Sequence, residues 1–321
     1  MKNISVIFLV IFLIIFTILI IHSSYWQIQR YVNGSLLDDY IPKEVFGIKG
    51  DDVNILKNKS IIICACLRDN EGKVNIFLKE ALKLSSYFQK YKILIVENDS
   101  SDNTREELLK YSIINPNVII LGCGVNKNKC TINLPKTEGH YITVSRINKM
   151  VYIRNIYLDY IKENYTDYDF TIVWDADIYG KVYIDGVASS INLFDKYKFI
   201  DIICANGIYR WMGFNIYYDT FAHHEYNEPC KSMRDLNIYG SSSHIRKSFM
   251  NNNLISKISN KKFPLIRVNT CFSGFSIYRT SSIQNLKYYS KDSNCEHVSL
   301  CEGCEYVYIN PKMIHFLFKN D

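Results

Sequence analysis

Three polar, acidic segments each follow a short apolar run: Leu67-Arg68-Asp69-Asn70-Glu71-Gly72, Val96-Glu97-Asn98-Asp99-Ser100-Ser101-Asp102-Asn103-Thr104, and Val173-Trp174-Asp175-Ala176-Asp177. Side chains two apart on an extended chain share a face, so a buried run ending in Asp-x-Asp aims Asp175 and Asp177 at one ligand. Hard divalent cations such as Mg²⁺ and Mn²⁺ prefer oxygen ligands, often one or two carboxylates with substrate phosphates. A metal held there neutralises charge building on a departing diphosphate. Asp-x-Asp by itself is a common triplet, and Glu97 to Ser100 would also serve as an Asx-type turn before a helix. Three acidic clusters at three successive strand ends point instead to a shared nucleotide and metal site.

Two further groups carry chemistry. Arg146, Met150 and Arg154 recur at i, i+4 and i+8 and share one helix face. Two guanidiniums leading to the Asp-x-Asp suit a diphosphate or a sugar; a solvated cationic face is the plainer reading. Cys295, Cys301 and Cys304 with His297 have the look of a zinc cluster, although metal sites usually show two cleanly spaced pairs and disulfides compete for the same thiols. Cys123 and Cys130 flank a short Lys/Asn-rich loop that a disulfide would close, and Cys64 and Cys66 lie near a strand end. Neither a Walker-type loop nor a Gly-x-Ser-x-Gly elbow occurs, which removes the signatures of kinases and hydrolases.

The elements that must position these residues alternate. Strands are expected at Ile61–Ala65, Lys92–Val96, Val118–Leu121, Phe170–Trp174 and Asp201–Ala205. Helices are expected at Val74–Phe88, Thr104–Tyr111, Ser145–Glu163 and Val187–Tyr197. Such alternation implies an α/β domain with a mainly parallel sheet covered on both faces, whose ligands bind beyond the carboxyl ends of the strands. After about residue 206 the regularity fails and the chain reads as irregular, rich in Tyr, Ser, Asn and His.

Composition bounds the rest. The 321 residues are 48% hydrophobic and 22% charged, with 14 Gly and 6 Pro, which suits a packed core and excludes disordered or collagen-like chains. The net charge of +6 comes without a dense basic run, so nucleic acid is not an expected partner. Residues 4–21 are apolar except Ser5 and Thr17, about 27 Å of helix, near the thickness of a bilayer. With no small-residue cleavage pattern after them, and with Tyr25 and Trp26 suited to the interface, they read as a signal-anchor transmembrane helix. The expected organisation is an anchor over 1–22, a stem over 23–58 and one domain over 59–321. Ten cysteines and sequons at Asn33, Asn58, Asn98 and Asn164 suit a lumen-facing, type II protein of the Golgi or endoplasmic reticulum, or of host secretory membranes if a virus encodes it.

The ordered motifs resemble GT-A glycosyltransferases, which have a Rossmann-like N-terminal half, and more narrowly the fungal capsule-associated α-1,3-mannosyltransferase-like family. The matching blocks are 97–104, Arg146 with 150–155, 175–177, 218–222, 268–278, 295–298 and 309–312. The resemblance implies a metal-dependent transferase using a nucleotide-diphosphate sugar, with GDP-mannose as donor and a glycan as acceptor. It implies that Glu97 or Asp99 meets the nucleoside, with Arg68 and Asn98 beside them, and that Asp175 meets ribose. Asp177 and His315 become the metal ligands, Arg146 and Arg154 donor-binding residues, and Asp219 and Glu296 candidates near the sugar. For inversion one of that pair acts as base; for retention, which α-linked mannose from an α-configured donor implies, they orient hydroxyls or stabilise an oxocarbenium-like centre. A packed histidine is the competing reading of His315. A non-catalytic carbohydrate-binding protein on the same fold is the competing reading of the whole.

Overall fold

The computed structural model describes residues 6–19, 21, 37–38, 52–122, 143–176, 180–211, 214–227, 265–290 and 295–317. After the two-residue strand β1 (Leu37–Asp38) come β2 (Ser60–Leu67), α1 (Glu71–Ser85), β3 (Lys90–Glu97), α2 (Thr104–Ile114) and β4 (Val118–Gly122). β2, β3 and β4 pair in parallel, with Leu67 opposite Glu97 and Glu97 opposite Gly122. The helix α3 (Val144–Asn164) then carries the chain back to β5 (Phe170–Trp174), which pairs in parallel with the other edge of β2. Strand order therefore reverses at β2. In open α/β sheets that reversal leaves a crevice beyond the carboxyl ends of the two strands, where Arg68 and Asp175 emerge.

The strands are apolar because both faces are covered. Ile62, Cys64, Leu94 and Val173 pack with Tyr157, Leu158 and Ile161 of α3. Ile61, Ile63 and Ile172 point the other way, toward Leu78 and Ala81 of α1 and toward Val187 and Ile191 of α4 (Ile184–Lys196).

After residue 206 the expectation of irregular chain fails among the described residues. β6 (Gly180–Tyr183), β7 (Ile202–Trp211), β8 (Phe214–Tyr217), β9 (His224–Glu225), β10 (Ile266–Thr270), β11 (Phe275–Arg279) and β12 (Val307–Leu317) all join one sheet, and the short helix α5 (Glu296–Glu302) precedes β12. β11 is inserted antiparallel between β5 and β7, while β12 runs parallel to β7 and antiparallel to β6 and β10. The sheet is mixed, not mainly parallel. Pro311 hid β12, since proline cannot donate to a ladder and is confined to edges and bulges. Here it sits at one: the register with β7 shifts between Asn310 and Ile314.

Two boundary expectations also change. The segment Val53–Asn58 is a 3₁₀ helix that buries Leu56 in the core beside α4, and Lys59 pairs with Asp195 at 2.8 Å, so part of the expected stem belongs to the folded domain. At the N-terminus residues 6–19 are helical with most apolar side chains exposed. Among the described residues no helix is long and apolar enough to cross a membrane. Positions 4, 5, 20 and 22 lie outside the described residues, so the expected span of 4–21 is covered only in part.

The bulge of β12 needs a close partner, which Gly186 of α4 supplies. A Cβ there would lie 2.4 Å from the Lys312 carbonyl oxygen and 2.8 Å from Met313 Cα. Gly186→Ala should therefore destabilise the domain by about 1–3 kcal/mol through overpacking, despite the better helix propensity of alanine, read as a lowered thermal midpoint.

Candidate active site

The loops after β2 and β3 are laced together. Ser101 donates its N–H to Asp69 Oδ1 at 2.7 Å, Asn70 N–H donates to Thr104 Oγ1 at 2.7 Å, and Glu71 N–H donates to Asp102 Oδ2 at 3.0 Å. Burial works to raise the Asp102 carboxyl, but the hydrogen bonds from Thr104 and Glu71 prevail and lower it. Asp69 and Asp99 take left-handed φ of 48° and 55°, turning the chain sharply at the sheet edge. Glu97 points inward and is fully buried, with one oxygen accepting from Arg105 Nε at 3.0 Å and the other from Ser100 N–H at 2.7 Å. That commitment makes it the post on which the loop hangs. Beside it Asn98 is buried with no hydrogen bond to its Oδ1. Arg68 Nε lies 3.3 Å from Asp69 Oδ2 without hydrogen-bond alignment. A buried donor and a buried acceptor, neither hydrogen-bonded, thus stand beside the crevice.

The two arginines of α3 separate. Arg146 is half-buried in the first turn, which Thr143 caps by accepting the Arg146 N–H at 3.1 Å. Arg154, two turns on and about 12 Å along the axis, is buried: Nη2 reaches Asp175 Oδ1 at 3.2 Å and Nε reaches Glu296 Oε1 at 2.9 Å. Its guanidinium lies over the Phe272 ring at 5.2 Å. Burial acts against its charge, yet Tyr157, Glu296 and Asp175 more than offset that and raise its pKa. The solvated-face reading does not describe Arg154.

A turn at residues 272–274 gathers the remaining candidates. Ser273 and Gly274 both have left-handed φ, 59° and 72°. Gly274 C=O accepts the Asp175 N–H at 2.9 Å, and Ser273 N–H donates to Asp219 Oδ2 at 3.3 Å. Ser273 C=O meets His315 Nδ1 at 2.8 Å. Facing a carbonyl, Nδ1 must carry the proton. Burial lowers the His315 pKa to about 4, with the Ser273 bond opposing it, so the ring is neutral and Nε2 keeps its lone pair. A Cβ at Gly274 would come within 2.9 Å of His315 Cε1; only glycine gives both the dihedral and the approach. Asp219, itself at φ 64°, has its carboxyl raised to about 6 by burial first and by Glu296 next, against hydrogen bonds from Ala222 and Ser273.

Asp177 lies outside the described residues, as do Cys123 and Cys130. The zinc reading of the C-terminal cysteines fails. Cys295 thiol donates to Glu296 Oε2 at 3.6 Å, Cys301 thiol to the Cys271 carbonyl at 3.8 Å, and His297 stacks on Phe272 at 3.6 Å. Among the described residues no three His, Cys, Asp or Glu gather as a metal cage. Sequence reasoning missed the Cys204–Cys271 disulfide, which ties β7 to the end of β10 across 67 positions, and the pivotal role of Ser273-Gly274. A glycine between two strand-like runs was the available signal for the latter.

Two outcomes test this geometry. Arg154→Met, which leaves Glu296 buried without its cation, should cost about 3–5 kcal/mol in denaturant unfolding, and Arg154→Met with Glu296→Gln should recover part of it. Asp219 has a folded pKa above its ordinary 3.8, so its contribution to stability is complete below about 3.8 and is lost as pH rises through about 6. Over that window the wild type should lose thermal stability relative to Asp219→Asn; parallel profiles would contradict the burial of this carboxyl.

Residues 60–310 match the family described as Cryptococcal mannosyltransferase 1. No curated protein matches the chain by sequence. Among solved structures, the mannosyltransferase PcManGT from Pyrobaculum calidifontis, in complex with GDP-Man and Mn²⁺, is 11% identical with a TM-score of 0.46, covering 94% of this chain and 67% of that one. Residues 1–349 of S. aureus TarS in complex with UDP-GlcNAc are 12% identical with a TM-score of 0.41, covering 82% and 59%, so this chain spans about three fifths of that length. GalNAc-T7 with UDP, GalNAc and Mn²⁺ is 10% identical with a TM-score of 0.45, covering 82% and 44%. Likenesses this remote carry no argument about ligands. The family match does not share that weakness, because it runs through most of the chain and takes in every candidate site residue except His315: the chain belongs to the Cryptococcal mannosyltransferase 1 family and is a glycosyltransferase.

Proposed function

We propose that the chain moves mannose from GDP-mannose to a glycan acceptor, with Mn²⁺ or Mg²⁺ bound at the carboxyl edge of β5. His315 carries this reading. A ligating histidine characteristically donates its second ring N–H to a carbonyl or carboxylate, and His315 has that arrangement with Ser273 while its Nε2 remains a lone-pair donor. The neighbouring residue of the same turn holds the backbone of Asp175. His315 and Asp177 would hold the cation, which would offset charge on the departing diphosphate.

The other residues have separable tasks. Arg68 Nε and Asn98 Oδ1 offer one donor and one acceptor, a match for the mixed hydrogen-bonding edge of a nucleobase, with Asp99 at the same turn. Glu97, locked by Arg105, fixes the loop that presents them. Arg154 holds one oxygen of Asp175 and thereby aims the other at ribose hydroxyls. Arg146, at the outer end of the same helix, is assigned to the donor's phosphates. Asp219 and Glu296 lie close enough for one to raise the other, and supply negative charge where an oxocarbenium-like centre or an acceptor hydroxyl would sit.

We assign the domain to the lumen of a secretory membrane, Golgi or endoplasmic reticulum, or of a host's if virally encoded, with residues 4–21 as its anchor. The exposed apolar side chains of the N-terminal helix favour this, and the Cys204–Cys271 disulfide suits an oxidising compartment. Among the sequons in described residues, Asn58 and Asn164 are exposed whereas Asn98 is buried, so of these three Asn58 and Asn164 should carry glycan and Asn98 should not.

The test is nucleotide-diphosphate release by the full chain across a panel of nucleotide sugars. GDP should be released from GDP-mannose alone. Release should stop with chelator, return with Mn²⁺, and fall by more than about 100-fold in Asp177→Asn and His315→Ala, beyond what loss of a supporting group costs. Release from a different donor would keep the transferase and replace the sugar. Metal-independent release would remove the assigned roles of Asp177 and His315.

A further inference from the structure

Five cysteines among the described residues stand outside the Cys204–Cys271 disulfide: Cys64, Cys66, Cys295, Cys301 and Cys304. Their surroundings differ. Cys64, Cys295 and Cys301 are buried, and burial pushes the thiols of Cys64 and Cys295 up. Cys304 is partly exposed, but burial and then the neighbouring Cys301 push its thiol up as well. Cys66 is partly exposed and has a cation at hand. The charge state of Arg154 is set by burial first, then by Tyr157, Glu296, Asp175 and Cys66, so the Cys66 sulfur lies within electrostatic reach of the guanidinium. Register places this thiol in the crevice. Cys64 pairs with Val173 across β2 and β5, the last pair before the two strands part, and both pack against α3. Side chains two positions on share that face, so Cys66 and Asp175 flank the opening. On its other side Cys66 is opposite Val96 of β3. Asn98 N–H donates to the Leu67 carbonyl at 3.0 Å, which carries the ladder one step past Glu97 and puts Asn98 on the face of Val96. The Asn98 amide is one row above the thiol, 7% exposed and with no hydrogen bond to its Oδ1. Asp175 keeps a side-chain exposure of 22%.

We propose that Cys66 floors the donor crevice and is a modification site there, so that a nucleotide sugar and a disulfide adduct on this thiol exclude each other. The inference rests on the transferase reading above and adds to it a covalent means of closing the same site. The modifying group is a small disulfide, R–S–S–R, of the kind an oxidising compartment supplies. The Cys66 thiolate attacks one of its sulfurs. The S–S bond breaks, Cys66–S–S–R forms, and the other half leaves as R–S⁻ and takes up the proton that Cys66 gave up. Arg154 offsets negative charge on the attacking sulfur. The added group then fills the opening between Asp175 and Asn98, where the ribose and base are assigned. A thiol that served for packing alone would be enclosed as Cys64 is, two positions earlier on the same face.

Thiol footprinting of the full chain with methyl methanethiosulfonate tests this, each cysteine being read by peptide mass spectrometry alongside nucleotide-diphosphate release. Cys66 should be modified about tenfold faster than Cys64, Cys295, Cys301 and Cys304. The donor that is turned over, supplied with Mn²⁺ at about ten times its half-saturating concentration, should slow modification of Cys66 about tenfold, since the occupied fraction is shielded. The other cysteines should react at their former rates. Release should fall in proportion to the label on Cys66, and whatever release Cys66→Ser retains should be indifferent to the reagent. An unchanged rate at Cys66 under donor, full release by labelled chain, or a Cys66 slower to react than Cys64 would overturn the inference. Its failure is distinguishable from that of the transferase reading. Turnover by chain fully labelled at Cys66 keeps the transferase and sinks the inference. Slowed labelling under GDP, with no nucleotide sugar turned over, keeps Cys66 at a nucleotide site and sinks the proposed donor chemistry.

Discussion

A single buried guanidinium sets the terms for the rest of the molecule. Arg154 has to be taken out of water on α3, which costs several kcal/mol unless partners and hydrogen bonds compensate. The partners come from elsewhere: Asp175 where β5 ends, and Glu296 at the start of α5, 142 positions away. This ion triad fixes where the parallel half of the sheet meets the C-terminal segment. Phe272 lies beside the guanidinium, His297 stacks on Phe272, and Tyr157 and Tyr288 hydrogen-bond beneath at 2.8 Å. Two carboxylates against one cation leave an excess of negative charge, and part of it is expressed at Asp219, whose carboxyl Glu296 helps to raise. The structural lock and the electrostatics of the crevice are thus one arrangement.

The 272–274 turn converts that lock into a site. Its two left-handed residues let consecutive carbonyls face different ways, one to the backbone of Asp175 and one to the ring of His315. The bulge at Pro311 does matching work on the neighbouring side. Asn310 donates to Ser190 Oγ at 2.9 Å and accepts the Lys312 N–H at 3.0 Å, so β12 resumes in a shifted register that sets His315 opposite Gly207 and Val182. Glycine at 186, 207 and 274 removes side chains where these backbones crowd.

Much of the first half was legible in the sequence. Strand runs such as Ile61-Ile62-Ile63 are apolar throughout because helices cover both faces, and the polar segments that follow them had to fall on one edge. The rest depended on long-range partners. Helical periodicity put Arg146 and Arg154 on one stripe, but Glu296 decides which of them is buried. Glu97 and Asp99 looked equivalent beside the strand end; Arg105, eight residues on, draws Glu97 inward. The C-terminal strands mix Tyr, Ser and Asn with a proline, so neither period 2 nor 3.6 stands out, and their identity comes from pairing with β5 and β7. The anchor expectation rested on apolar length, on the missing cleavage pattern and on the flanking Tyr25 and Trp26, and its span runs partly through positions outside the described residues.

The insertion of β11 between β5 and β7 also bears on how the chain is made. When β7 leaves the ribosome its future neighbour has yet to be synthesised, and β5 and β7 do not pair with each other. At about 5–20 residues per second, residues 275–279 follow only some seconds later. Meanwhile two central strands present unpaired edges, the kind that recruit a second nascent chain. Yield in a foreign host should therefore be governed less by how stable the finished domain is than by what shields those edges while translation continues.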